Sequence, residues 1–362
     1  MINMLVVLPT DRIGGAERVA MNLVEYLTGK NHIHVTIYFL TKNNSNSWAF
    51  FNELDNVDII HQNSTRVAKS IFKLSTFLYG RSFDYVYSTQ AHTNSMLCLF
   101  RRLRILSCRF LILRESSILS SRFNGLKGFL INIMYQPYGN QDLLICQTNL
   151  MKEKLISYRG LRISTNSKVI HNPINLKLIK PLSELEVNMN SGTAFNIVMV
   201  GRLVQIKNHK LVIQALSQIK HKFRLYIVGD GELKNELYEL CRTSNLLEEI
   251  RFVGNVKNPY KYMANADLGI ISSFSEGFPN VLIEMMVSGT KDIIITPCTG
   301  DLELIPDITV LEGFSIKEMQ NIISRKLKKP ECYSQSYKEF SKSRDIASYW
   351  SEINSSFLNE IK

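Results

Sequence analysis

Short unbroken runs of apolar residues alternate along this chain with longer stretches in which apolar positions recur every three or four residues. The runs at 4–8, 34–40, 57–61, 85–89, 110–114, 143–147 and 169–171 predict strands. The periodic stretches between them predict helices from a turn at Gly14 to about Gly29, over 66–79, from Asn94, after Asn124 and over 149–158. A second series follows, with strands predicted at 195–201, 225–229, 251–254 and 267–273, and helices starting near Asn208 and Leu233 and covering 259–264. Such alternation predicts an α/β protein whose mostly parallel sheets are covered by helices on both faces. Ligands of such sheets sit at the carboxyl ends of the strands. Residues 180–193 are polar and aperiodic, which predicts a linker, so the expected division is 1–180, a linker over 181–193, a second domain over 194–343 and a terminal helix within 344–362.

The densest chemistry lies in Glu276-Gly277-Phe278-Pro279-Asn280-Val281-Leu282-Ile283-Glu284, two carboxylates separated by seven residues across a loop-to-helix junction. Pro279 suits the first helical position and Gly289 the residue past the last. The helix is apolar nearly all round, which predicts burial, and Glu284 is its one acid. Helical side chains lean toward the N-terminus, so Glu284 points back toward the mouth that holds Glu276. The N–H groups of Asn280 to Leu282 at that mouth are expected to be free for an anionic or hydroxyl-rich ligand. The plain alternative is a solvated acid before the helix and a glutamate bonded to nearby backbone.

Other strand ends carry matching groups. Gly201-Arg202-Leu-Val-Gln-Ile-Lys207 places two cations after a predicted strand and before a helix, a setting suited to a diphosphate. Arginine offers a bidentate fork and lysine a point charge. Gly14-Gly15-Ala-Glu17-Arg18 follows the first strand with a turn that lets backbone approach a ligand. Gly229-Asp-Gly231-Glu is a second glycine turn, and neither turn meets the G-x-G-x-x-G dinucleotide pattern. His92 and the pair Arg114-Glu115 also fall at predicted strand ends, where His92 is either a structural histidine or a ligand contact and Arg114-Glu115 is a candidate for the edge of the binding cleft.

Taken in order, Gly-Gly-Ala-Glu-Arg, the Arg202/Lys207 pair, Gly-Asp-Gly-Glu, Asn258-Pro-Tyr-Lys-Tyr-Met263 and the Glu276/Glu284 motif resemble the family 4 retaining glycosyltransferases over nearly the whole chain. The resemblance implies two Rossmann-like, doubly wound domains facing across a cleft, the GT-B arrangement, with a C-terminal helix crossing back to the first domain. It implies a nucleotide-sugar donor, UDP-linked, no metal and no resident cofactor. Arg202 and Lys207 would hold the diphosphate and stabilise its departure, Glu284 the ribose, Glu276 and His92 the sugar. Gly14 and Gly15 would face the diphosphate and acceptor, and Gly229 and Gly231 would line the base side. Lys291 stands where the family more often has proline, and Cys298-Thr299-Gly300-Asp301 lacks its usual second glycine or proline, which leaves the donor sugar open.

Composition adjusts this picture modestly. The 362 residues are 45% hydrophobic and 21% charged, an ordinary globular balance with room for two cores. No apolar run reaches the length of a membrane span and the start lacks a basic leader, so the expectation is a cytoplasmic chain. Six scattered cysteines suggest reduced thiols. The net charge of +11 is concentrated in residues 1–180, with 22 Lys and Arg against 10 Asp and Glu. The run Arg101-Arg102-Leu-Arg104 is interleaved with bulky apolar residues, which suits a helix on an anionic membrane surface, or else a solvated basic face. The expected acceptor is therefore a saccharide or a lipid-diphosphate-linked saccharide, and the Lys-, Asn- and Ile-rich composition points to a bacterial O-antigen or capsule pathway. A sugar-nucleotide 2-epimerase of the same fold, an NAD-dependent oxidoreductase and a basic nucleic-acid-binding protein fit less well: the first lacks its usual acid and histidine set, the second its fingerprint, the third any binding module.

Overall fold

The computed structural model describes residues 1–43, 46–62, 67–117, 125–159, 166–187, 189 and 194–357. The start of the helix expected over 66–79, and most of 188–193 in the expected linker, lie outside these residues. The chain divides into two units, 1–173 with 346–362 and 174–345.

In the first unit the elements run β1 (Ile2–Thr10), α1 (Gly15–Thr28), β2 (Ile33–Thr41), β3 (Val57–His61), α2 (Val67–Leu78), β4 (Ser82–Thr89), α3 (Ala91–Arg102), β5 (Ser107–Arg114), α4 (Gly125–Tyr135), β6 (Leu143–Cys146), α5 (Asn149–Arg159) and β7 (Ser167–Val169). A 3₁₀ stretch over Asn46–Glu53, which the apolar pattern does not signal, precedes β3. All strands are parallel in the order β3-β2-β1-β4-β5-β6-β7. The unbroken apolar run of β1 follows from burial on both faces. Met4, Val6 and Leu8 enter one core and Leu5 and Val7 the other.

The second unit begins with α6 (Leu176–Ser183) and continues β8 (Phe195–Val200), α7 (His209–Leu216), β9 (Phe223–Val228), α8 (Lys234–Thr243), β10 (Ile250–Gly254), α9 (Tyr260–Ala264), β11 (Leu268–Ile271), α10 (Asn280–Ser288), β12 (Asp292–Ile295), β13 (Thr309–Val310), α11 (Ile316–Lys328) and α12 (Ser334–Lys342). Its parallel order is β10-β9-β8-β11-β12-β13. In both sheets the order reverses beside the first strand, at β1/β4 and at β8/β11. These are the topological switch points, where the carboxyl ends of neighbouring strands open a crevice.

The boundary expected at residue 180 needs correction, while the terminal helix packs as expected. The expected linker is preceded by a helix that starts before residue 180, and the units part after Pro173. Asn175 caps α6 by accepting from Leu178 N at 3.1 Å, Ile179 is buried, and Leu176 and Leu182 pack on the second core. Pro181 inside this short helix had hidden it. At the far end, α13 (Ile346–Ser355) buries Ile346, Tyr349, Trp350 and Ile353 in the core of the first unit. Each such side chain contributes about 1.5–3 kcal/mol of burial, enough to hold a ten-residue helix that would be marginal alone.

Candidate active site

The second switch point gathers the strongest candidates. Gly201 follows β8 directly and Arg202 comes next, exposed. A 3₁₀ turn over Gln205–Lys207 then leads into α7. On the other side of the crevice, β11 runs into the loop that carries Glu276. Two bonds stitch the loops together: Phe274 N donates to Ile206 O at 2.8 Å, and Ser272 Oγ donates to Lys207 O at 2.8 Å. Lys207 Nζ bridges the crevice to Glu276 Oε1 at 2.5 Å, with both side chains about one-fifth exposed. An ammonium has three donors, so Lys207 keeps two for a ligand. Among the described residues Arg202 forms no ion pair.

Gly229 and Gly231 serve this arrangement through space. A Cβ on Gly229, whose φ is +145°, would lie 2.0 Å from Gly201 O, and one on Gly231 would lie 2.4 Å from Leu203 O. The two turns are pressed backbone to backbone, with Leu203 N donating to Asp230 O and Leu233 N to Leu203 O, both at 3.0 Å. No side chain larger than hydrogen fits between them.

The Glu276 loop is fixed from below, since Glu276 N donates to Cys298 O at 2.7 Å and Thr299 Oγ1 to Gly277 O at 2.7 Å. Gly277, Phe278 and Pro279 are buried; Asn280 and Val281 are half-buried. Burial, aided by the nearby Glu276 carboxylate, pushes the Cys298 thiol up to about 12, so it stays protonated. Three details of α10 differ from expectation. Pro279 is the N-cap, one residue ahead of the first helical position. Leu282 N is already used, donating to Pro279 O at 2.9 Å, because the first turn closes tightly. Glu284 is half-buried, so it faces a partly wet surface. Gly289 does end the helix, in the left-handed region at φ +102°.

The first switch point holds Gly14, Gly15 and His92. Gly14 caps α1, and Glu17 Oε2 accepts from Gly14 N at 3.1 Å, the return half of a capping box. Glu17 is only 4% exposed, and its Oε1 accepts from Gln90 Nε2 across the β1/β4 crevice. Gln90 has φ +81° and ψ 131°, a conformation costly to any residue but glycine. His92 is exposed in the first turn of α3, and partial desolvation by its surroundings lowers its imidazole below the ordinary range.

Arg114 and Glu115 do not form an open edge. Both are buried, within a polar network at the ends of β4 to β7. Glu115 accepts from Tyr138 at 2.6 Å, Tyr135 at 3.2 Å and Asn94 at 3.1 Å, while Arg114 donates to Asn172 at 2.6 Å and Thr89 at 3.2 Å. Burial pushes the Glu115 carboxyl up against the opposing pull of those donors. This pair sets the shape of the strand ends from beneath.

Sequence reasoning missed Glu17, Gln90 and His209. The Gly14-x-x-Glu17 spacing was a legible capping signal. His209, the first residue of α7, is buried with Nδ1 unpartnered, and burial together with Lys207 pushes its imidazole down to about 4. Among the described residues no group of three His, Cys, Asp or Glu gathers as a metal site. All six cysteines are unpaired.

Two doubly wound Rossmann-like units of this kind define the GT-B fold. The structure of Anabaena HepE with UDP and glucose matches over 99% of this chain and 100% of its own, with a TM-score of 0.82 at 17% identity. Residues 194–323, within the second unit, match the family described as Glycosyl transferases group 1. A Campylobacter jejuni N-acetylgalactosaminyltransferase acting on a diphospho-undecaprenol-linked saccharide is 33% identical over 191 residues, 52% of this chain and 50% of that one. The Erwinia amylovora amylovoran biosynthesis glycosyltransferase AmsD is 27% identical over 333 residues, 87% of this chain and 88% of its own. The chain thus spans about half the length of the first of these relatives and most of the second.

Proposed function

We propose that this chain is a retaining glycosyltransferase that moves a hexosyl group from a UDP-sugar to a lipid-linked saccharide in bacterial surface-polysaccharide synthesis. The observation that carries the reading is the cation pair at the second switch point, with Lys207 braced by Glu276 and Arg202 exposed beside it. Bacterial polysaccharide and lipid-linked saccharide activities in the names of relatives support the substrate class. In the proposed reaction the acceptor hydroxyl oxygen bonds to the anomeric carbon on the face from which the phosphate leaves. The bond from that carbon to the phosphate oxygen breaks, UDP departs with the electron pair, and the hydroxyl proton passes to the departing oxygen. Arg202 and Lys207 stabilise the charge that develops there without a metal, an electrostatic role for preorganised donors. Glu284 holds the ribose, Glu276 positions the sugar, and His92 contacts its hydroxyls. Gly14 and Gly15 face the donor diphosphate and the acceptor, and Gly229 and Gly231 line the base side.

Thermal unfolding with UDP, GDP, ADP or NAD, each at about 100 times a plausible Kd, tests the reading. Binding at that ratio adds roughly 2.7 kcal/mol and raises the midpoint by several degrees. A shift with UDP alone is the expected result; a shift with NAD, or with nothing, removes the proposal.

The acceptor's lipid places the enzyme at a membrane surface. No helix among the described residues is long and apolar enough to cross one. The neighbouring α3 and α4 instead expose Leu99, Leu103, Phe129, Leu130 and Ile133, with Arg102 and Arg104 exposed alongside. Such a stripe suits shallow insertion into an anionic leaflet. Flotation with anionic liposomes should recover the protein at low salt and less of it at high salt; recovery equal to that with neutral liposomes would refute it.

A further inference from the structure

The Glu17–Gln90 contact joins the start of α1 to the start of α3, which follow different strands. Glu17 lies in the first turn of α1, which follows β1, Gln90 caps α3 after β4, and β1 and β4 are the paired strands of the first switch point. Glu17 holds both sides at once, since one oxygen receives Gly14 N and the other the Gln90 amide. It is buried, so these bonds face little competition from water. Gln90 meanwhile adopts a positive φ that a glycine would adopt freely. A strained residue persists only where its surroundings over-determine it. Backbone bonds contribute to that, with Gln90 N donating to Arg114 O at 3.3 Å and Asn94 N to Gln90 O at 3.0 Å. The side-chain bond to Glu17 completes it. The dihedrals of Gln90 also set the direction in which α3 departs, and His92 is the second residue of that helix.

We propose that Glu17 and Gln90 are positioning residues: they form a strut across the β1/β4 crevice that fixes the Gly14-Gly15 turn and the His92 turn in one mutual geometry. This inference rests on the reading of the chain as a glycosyltransferase only for its consequence in turnover. The strut itself is testable without substrate.

Hydrogen exchange is measured on peptides spanning 10–18 and 88–95 in the wild-type chain and in Glu17→Ala, Glu17→Gln, Gln90→Ala and Gln90→Gly. Glu17→Ala and Gln90→Ala should each accelerate exchange in both peptides, including the one that does not carry the substitution. Glu17→Gln keeps an acceptor for Gly14 N and an amide that meets a flipped Gln90, so it should remain near wild type. Gln90→Gly should unfold at a higher temperature than Gln90→Ala, the reverse of the order at an ordinary site, because only glycine relieves the strain. With a UDP-sugar that the wild type turns over, kcat should fall about 10- to 100-fold in Glu17→Ala and Gln90→Ala, as for a slight misplacement of reacting groups, and recover in Glu17→Gln. The donor KM should move little. Wild-type exchange at 10–18 in Gln90→Ala, or alanine more stable than glycine at 90, overturns the strut whatever the activity. A wild type that turns over no nucleotide sugar overturns the functional reading and leaves the exchange result standing.

Discussion

Each unit bridges the switch point of its own sheet with a pair of side chains, and the two bridges differ in kind. At β8/β11 the bridge is an ion pair, Lys207 to Glu276, partly open to solvent and flanked by the exposed Arg202. At β1/β4 it joins the buried carboxylate of Glu17 to an amide, held beside a strained backbone. Arg202 and the free donors of Lys207 remain available beside the Lys207–Glu276 pair, which favours a diphosphate. The first crevice offers a buried negative charge and a neutral-leaning histidine, which suits ordering of hydroxyls. The same topological position thus supplies charge in one unit and geometry in the other.

The largest effect should come from removing the charge. Arg202→Ala is expected to lower turnover of a UDP-sugar by roughly 10²–10³, comparable to losing another preorganised oxyanion donor. Steady-state kinetics on the donor decides it, and unchanged kcat would move the chemistry away from this crevice. The midpoint of unfolding without ligand should hardly change, because Arg202 is exposed.

The next effect tests whether the second crevice depends on the close approach of its two glycine turns. Gly229→Ala places a methyl group 2.0 Å from Gly201 O at a φ of +145°. Neither backbone can yield without pulling the loop of Arg202 and Lys207 out of place. Overpacking and strain together should cost at least about 3 kcal/mol. That is a fall in midpoint on the order of 10 °C, read by calorimetry, with the UDP-dependent rise reduced as well. An alanine tolerated there would show that the turns are looser than their hydrogen bonds imply.

How much of this was legible depends on whether the signal was local. The strands could be read because burial on both faces demands unbroken apolar runs, as in Leu5, Val6 and Val7. The ion-pair partners could be named because Lys207 and Glu276 each follow such a run. Their 2.5 Å contact joins residues far apart in sequence, and spacing alone does not reveal it. The left-handed cap at Gly289 was legible because glycine announces it. The positive φ of Gln90 was not, since glutamine is a poor residue for that conformation and only tertiary contacts select it. Arg114 and Glu115 read as open cleft-edge groups because charged residues are seldom buried, yet five tyrosine, asparagine and threonine side chains from other elements hydrogen-bond to them inside the protein.

The smallest effect separates the two units by pH. His209 lies beside Lys207 in the second unit, at the first residue of α7, where burial, the lysine's charge and the positive end of the helix all oppose a proton. Its folded pKa of about 4 lies below the ordinary 6.5, so between those values the unfolded chain binds the extra proton. Stability from this group is therefore present above pH 6.5 and lost as the pH falls toward 4. Between pH 8 and pH 5 the loss should be about 2 kcal/mol. Urea unfolding at the two pH values, in the wild type and in His209→Gln, measures it: the variant should lose less by about that amount. An equal loss in both would mean that acid sensitivity arises elsewhere, with the raised carboxyl of Glu115 excluded as its source, because a group whose pKa is raised by burial gains rather than loses stability as the pH falls.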